Sequence, residues 1–217
     1  MAVKVLYIEA RKKAESREKL SIDFSSLPKR LFLAYSIQYK NHAEALKKEL
    51  GLHGISVAGF QQVLGCTKLS RGLLKESAPI LLVGSGKFHA LNLALQSDSP
   101  ILIYSPESSS ISGIDEKELK KLKQKKKAAF SLFLNAQKIG IIVSLKPGQE
   151  NLRLAEELKK KILKKYPEKK AFIFISNEVN LSELENFKIG FFINTACPGL
   201  FYDSPKIANA DDIMPFL

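Results

Sequence analysis

Eight short runs of aliphatic, aromatic and β-branched residues are spaced along this chain of 217, and most are apolar at every position instead of every second one. They fall at residues 3–9, 30–36, 55–60, 80–85, 101–105, 139–145, 171–176 and 189–195. A strand with one wet face alternates; a strand covered on both faces does not. Parallel strands need long crossovers, and helical patterns fill the gaps between the runs. Residues 41–50, NHAEALKKEL, put Ala43, Leu46 and Leu50 on one stripe, with Gly51 as the expected stop. Residues 151–166 carry Ala155, Leu158, Ile162 and Tyr166 at spacings of three and four, and end before Pro167. The fold class is therefore α/β, with small parallel sheets flanked by helices.

The clearest break is SPESSSISGIDEKELKK, residues 105–121, whose Ser, Pro and Gly content reads as a linker. Asp115 is placed to cap a lysine-rich helix over about residues 116–137. We expect one α/β domain over 27–112 and a second, similar one over 113–217. Residues 1–26, the opening strand and EARKKAESREKL, stand outside both, as the tail of a domain that begins elsewhere.

Composition narrows the setting. The hydrophobic fraction of 45% suits a globular chain with sizeable cores. No apolar run approaches the roughly 20 residues of a membrane-spanning helix. The start, MAVKVLYIEARKK, runs straight into charge and lacks a signal-peptide layout, so a cytoplasmic location is expected. Two cysteines are too few for a disulfide framework. The net charge of +12 invites a nucleic-acid reading, yet only five of 34 basic residues are Arg. The lysine runs have little aromatic interleaving and read as solvated helix faces. Dedicated nucleic-acid binding is disfavoured; a basic surface that meets an acidic partner is not.

Several stretches could carry chemistry. VGSGKFHALNLAL, residues 83–95, follows a strand and opens a helix, which suits an anion at a helix N-terminus. It is neither a Walker A loop, since Phe88 replaces Ser or Thr, nor a dinucleotide fingerprint, since His89 stands at the third Gly. A tight strand-to-helix turn without a ligand accounts for it equally well, and a lone His is more often packed than ligating. Cys66 in QQVLGCTKL and Cys197 in INTACPG each follow a strand. A free Cys is most often an inert buried hydrophobe. Two of them at C-terminal strand ends, where ligand sites of open α/β sheets lie, weigh against that. Two thiolates alone are too few for a stable zinc or iron–sulfur site. Ser36, Gln38 and Tyr39 after one strand, and Pro147, Gly148 and Gln149 after another, are either ligand-orienting or ordinary loop residues.

Taken in order, YIEAR, AYSIQYK, QQVLGCT, VGSGKFHALNLAL, KPGQENLRLAEEL, NTACPGLFYD and IMPF resemble the radical-forming subunit of diphthamide synthase, the 2-(3-amino-3-carboxypropyl)histidine synthase family. The resemblance spans nearly the whole chain, and VLGCT, GSGKFH and TACP in that order are its most specific elements. It implies three similar α/β domains, each giving one cysteine to a [4Fe–4S] cluster whose fourth iron binds S-adenosylmethionine. The activity it implies is cleavage of S-adenosylmethionine to a 3-amino-3-carboxypropyl radical that adds to a histidine of the translation elongation factor.

On this resemblance the chain corresponds to the second and third domains. Cys66 and Cys197 match the family's cluster cysteines. Gly84, Ser85, Gly86 and His89, with Gln149 and more weakly Gln38, match stretches near the S-adenosylmethionine pocket. Asp203 is the expected polar, catalytic residue near the cluster. Two positions depart from the family pattern: Gln61 stands where Gly is expected, and Gly199 where Arg is usual. The family's N-terminal domain and first cysteine have no counterpart in the sequence. A split enzyme whose third cysteine comes from a separate polypeptide or another subunit is the expectation. A non-catalytic α/β assembly subunit of the same complex is the alternative, and a basic RNA-binding module a further one.

Overall fold

The computed structural model describes residues 5–12, 22–67, 69 and 78–217. The chain divides into two compact units, Met1–Lys120 and Lys121–Leu217.

In the first unit, β1 (Arg30–Tyr35), β2 (Ser56–Gln62), β3 (Ile80–Val83), β4 (Ile101–Ser105) and β5 (Ser110–Gly113) form one sheet in the order β2-β1-β3-β4-β5. All pairs are parallel except β4–β5. Helix α1 (Lys40–Leu52) lays Ala43, Leu46 and Leu50 against Leu31, Leu33, Leu81 and Val83 on one face. Helix α2 (Lys87–Ala94) lays Ala90, Leu93 and Ala94 against Phe32, Ala34, Ile80 and Leu82 on the other. Cover on both faces explains the uninterrupted apolar runs, since each fully buried Leu or Ile adds about 1.5–3 kcal/mol.

Three local expectations change. Helix α1 does not stop at Gly51. It runs to Leu52, and Gly54, at φ 70°, makes the turn: Gly54 N donates to Gly51 O at 3.1 Å and Ile55 N to Leu50 O at 2.8 Å. That bonding pattern puts the C′ glycine three residues later. The serine-rich stretch is not a free linker, because Ser110–Gly113 is the antiparallel edge strand β5. Of the expected opening strand, residues 5–9 form no strand: Leu6 and Ile8 are each 84% exposed, with no described strand paired beside them. The adjoining residues are tied down instead, Lys12 N donating to Gln38 O at 2.8 Å.

Asp115 caps α3 (Glu116–Asn135), accepting from Lys117 N at 2.8 Å. This helix crosses the division between the units. The second unit orders its parallel strands β7-β6-β8-β9, from β6 (Lys138–Ser144), β7 (Lys170–Ser176), β8 (Phe191–Asn194) and β9 (Ile207–Asn209). The order is that of β2-β1-β3-β4, so the units share one topology. Helix α4 (Leu152–Lys165) buries the expected Ala155, Leu158 and Ile162. Short helices α5 (Leu181–Glu185), α6 (Leu200–Asp203) and α7 (Ala210–Ile213) complete it. No helix among the described residues is long and apolar enough to cross a membrane.

Candidate functional site

In each unit the strand order reverses between the first and third strands, and ligands of open α/β sheets bind at the carboxyl ends beside such a switch point. In the first unit this lies between β1 and β3. The chain leaving β1 turns through Ser36–Gln38, and the chain leaving β3 turns through Gly84–Gly86 into α2. The two ends approach closely, with Ser36 N donating to Val83 O at 3.2 Å. A cavity of about 240 Å³ opens there, lined by Gln38, Gly84, Ser85, Gly86 and His89 together with the apolar Val63 and Leu64. Five residues expected near a cofactor thus share one cavity. Gly86 is the N-cap of α2 and has no side chain to cap the first-turn amides. His89 is half-buried, and that burial holds its pKa below the ordinary histidine range.

Cys66 stands beside this cavity, in a turn beyond β2. Thr67 N donates to Leu64 O at 3.1 Å, and Leu64 N donates to Thr67 Oγ1 at 2.7 Å, so the turn is closed twice and Cys66 is exposed at its third position. Gln96, at the end of α2, fastens the chain beyond it: Nε2 donates to Thr67 O at 2.9 Å and Oε1 accepts from Leu69 N at 3.1 Å. Tyr39 faces away from the cavity, donating to Glu107 Oε1 at 2.9 Å, where Lys12 also pairs. The Lys12 ammonium, then the Tyr39 hydroxyl, hold the Glu107 carboxyl below its usual range.

In the second unit the switch point lies between β6 and β8. Gln149 closes the turn after β6, its N–H donating to Lys146 O at 3.0 Å across Gly148, at φ 79°. The loop with Cys197 follows β8, and the thiol is exposed. Asn151 Nδ2 donates to Thr195 O at 2.9 Å and ties the two loops together. Asp203, expected near the cluster, stands apart from the Cys197 thiol loop. It lines a groove of about 590 Å³ with Phe192, Lys206 and Ile207, at the amino end of β8 and β9, whereas Cys197 lies past the carboxyl end. There Asp203 acts electrostatically on Lys125, whose pKa burial lowers and Asp203 raises.

The donor chemistry fits part of an iron–sulfur site. Each unit offers one exposed thiol, and no group of three or more His, Cys, Asp or Glu is assembled among the described residues. A cluster with one open iron needs three protein ligands, of which this chain has two to give. Gln96, which fastens the chain after Cys66, lies outside every motif, and Asn151 lies inside KPGQENLRLAEEL without standing out there; an amide residue near a strand or helix end is the only signal either gives.

The family described as "Putative diphthamide synthesis protein" matches residues 1–206. A 2-(3-amino-3-carboxypropyl)histidine synthase from Pyrococcus horikoshii is 34% identical over 157 residues, 72% of this chain and 44% of that protein. The protein of the same name from Methanocaldococcus jannaschii is 30% identical over 177 residues, 81% of this chain and 46% of that one. The crystal structure of Dph2 from Pyrococcus horikoshii superimposes with a TM-score of 0.75 at 27% identity, covering 89% of this chain and 58% of that one. The structure of the same protein with a 4Fe-4S cluster gives the same values. The chain spans about half the length of the curated relatives it matches.

Proposed function

The chain belongs to the diphthamide synthesis protein family, and we propose that it is the C-terminal part of a 2-(3-amino-3-carboxypropyl)histidine synthase. The reaction moves the 3-amino-3-carboxypropyl group of S-adenosylmethionine to an imidazole carbon of one histidine in the translation elongation factor. A sulfonium C–S bond breaks, a C–C bond forms, and methylthioadenosine and a proton leave. One observation carries the reading: both motif cysteines are exposed, each on a loop beyond the carboxyl end of a parallel strand. An inert thiol would be buried.

When bound, a [4Fe–4S] cluster would supply the electron that opens the sulfonium, and one electron would be returned as the imidazole carbon loses its proton, so the transfer is redox-neutral overall. Cys66 and Cys197 each supply one thiolate ligand. The third would come from the family's N-terminal domain. Gln38, Gly84, Ser85 and Gly86 hold the amino-acid end of S-adenosylmethionine, with the first-turn amides of α2 facing its carboxylate. His89, kept neutral by burial, offers a hydrogen bond without repelling the sulfonium charge.

Anaerobic co-expression with a polypeptide supplying an N-terminal domain of this family, followed by iron and sulfide analysis, tests the reading. About four iron and four sulfide per complex are expected, and Cys66→Ala or Cys197→Ala removes most of both. Cluster content unchanged by either substitution sinks the catalytic reading and leaves a non-catalytic assembly subunit.

A further inference from the structure

We infer that Asn194 is a positioning residue: it fixes the main chain on both sides of Cys197 and so sets the direction in which the thiol leaves the fold. Asn194 ends β8 and is 2% exposed. Its Oδ1 accepts from Ala196 N at 2.9 Å, and its Nδ2 donates both to Cys197 O and to Asn209 Oδ1, each at 2.8 Å. Asn209, its register partner on β9, donates in turn from Nδ2 to Pro198 O at 3.3 Å. The orientation of both carboxamides is dictated by backbone. The Ala196 N–H can only donate and the Cys197 and Pro198 carbonyls can only accept, so neither amide can be turned round without facing like against like.

The chemistry of the loop explains why such a device is there. Past Asn194 the β8–β9 ladder has ended, and Pro198 has no N–H to give. The Cys197 and Pro198 carbonyls also accept from Leu200 N and Phe201 N, at 3.1 and 3.3 Å, but those bonds tie them only to the short helix that follows and not back to the sheet. Thr195 is already locked, its N–H and its Oγ1 both donating to Ile142 O, at 3.0 and 2.7 Å. The two asparagines extend that lock through the cysteine and the proline. A loop that merely reversed the chain would need no bonded pair of amides with one of them buried. A buried polar network with its bonds made specifies one conformation, and here that conformation carries an exposed thiol.

The meaning of a directed thiol rests on the reading of Cys197 as a ligand, so the test is run on the full chain free of metal. It measures amide exchange by NMR and the iodoacetamide alkylation rate of each cysteine. In Asn194→Ala, exchange at Ala196 rises by about tenfold or more and Cys197 alkylation shifts by about threefold or more, with Cys66 unchanged. Asn194→Asp keeps the acceptor and loses the donor: Ala196 stays protected while Cys197 alkylation still shifts. Should Asn194→Ala fail to fold, Asn194→Asp and Asn209→Ala carry the test, the latter with a smaller shift of the same sign. Wild-type rates at Cys197 in the folded variants overturn the inference, as does an equal shift at Cys66. A cluster that survives Cys197→Ala overturns the proposed function and leaves these rates as they are.

Discussion

Phe88 lies over the α-carbon of Gly65 so closely that a methyl group there would overlap its ring. Gly65 precedes Cys66 in the turn beyond β2; Phe88 precedes His89 in the first turn of α2. Two sequence motifs, VLGCT and GSGKFH, therefore share one contact. The turn that presents the thiol is seated against the helix that borders the cavity, and neither can shift alone.

Gly65→Ala is accordingly expected to cost about 1–3 kcal/mol by overpacking, read from the urea midpoint. Phe88→Ala should relieve part of that cost. The double variant is then less destabilised than the sum of the singles, with a coupling of about 0.5–3 kcal/mol. Strict additivity would mean that the ring yields freely and that the contact fixes nothing.

Gln96 offers a second handle on the same turn. Its carboxamide bonds Thr67 O, Leu69 N and Asn92 O. Gln96→Ala removes all three at a net cost of about 1–3 kcal/mol. Amide exchange at Leu69 should accelerate, while the β3 amides stay protected. Gln96→Glu keeps the acceptor for Leu69 N and loses the donor to Thr67 O, so it should protect Leu69 and still loosen the turn.

Much of this architecture is legible in the amino-acid sequence alone. Buried parallel strands announce themselves by continuous apolarity, and the motif residues Gly84, Ser85, Gly86 and His89 are close together in the chain, so they arrive at one cavity together. Polar edges are not legible. Strand β5 is built from Ser-Ile-Ser-Gly and turns through Ser109 at φ 48°, so its composition reads as loop. Strand β9 has only three residues. The partners of the cysteine loops are hidden for another reason: Asn194 and Asn209 are 15 positions apart, and Gln96 lies 29 from Thr67. An amide side chain shows no sequence sign of which distant backbone group it will meet. Asp203 is close to Cys197 along the chain, but the helical turn between them carries it to the groove at the other end of the strand.

Lys169 is the clearest structural charge. It is 4% exposed, and its ammonium donates to Leu134 O and Ala136 O at 2.6 and 2.7 Å, where α3 ends, with the rings of Phe133 and Tyr166 alongside. A helix C-terminus leaves carbonyls without partners and favours a cation. Lys169→Met fills the space and strands both carbonyls, so a loss of about 2–4 kcal/mol is expected. Alkylation rates of Cys66 should not change. A variant as stable as the parent would show that water replaces the ammonium without cost.

His89 gives the pH dependence its sign. Burial lowers its folded pKa below the unfolded value of about 6.5. Above that value both states are neutral and the residue contributes nothing to the pH slope. As pH falls below it, the unfolded chain takes up a proton that the folded chain still refuses, so stability declines until the folded pKa is passed. The same protonation places a positive charge in the cavity proposed for a sulfonium. Affinity for S-adenosylmethionine should therefore fall as pH drops below the ordinary histidine value of about 6.5, and His89→Gln should flatten that fall while keeping a hydrogen-bonding group in place. Calorimetric titration at several pH values checks this, beside an NMR titration of the imidazole. An imidazole midpoint at or above 6.5 would remove the basis of the argument. A fall in affinity that persists in His89→Gln would assign the proton to another group.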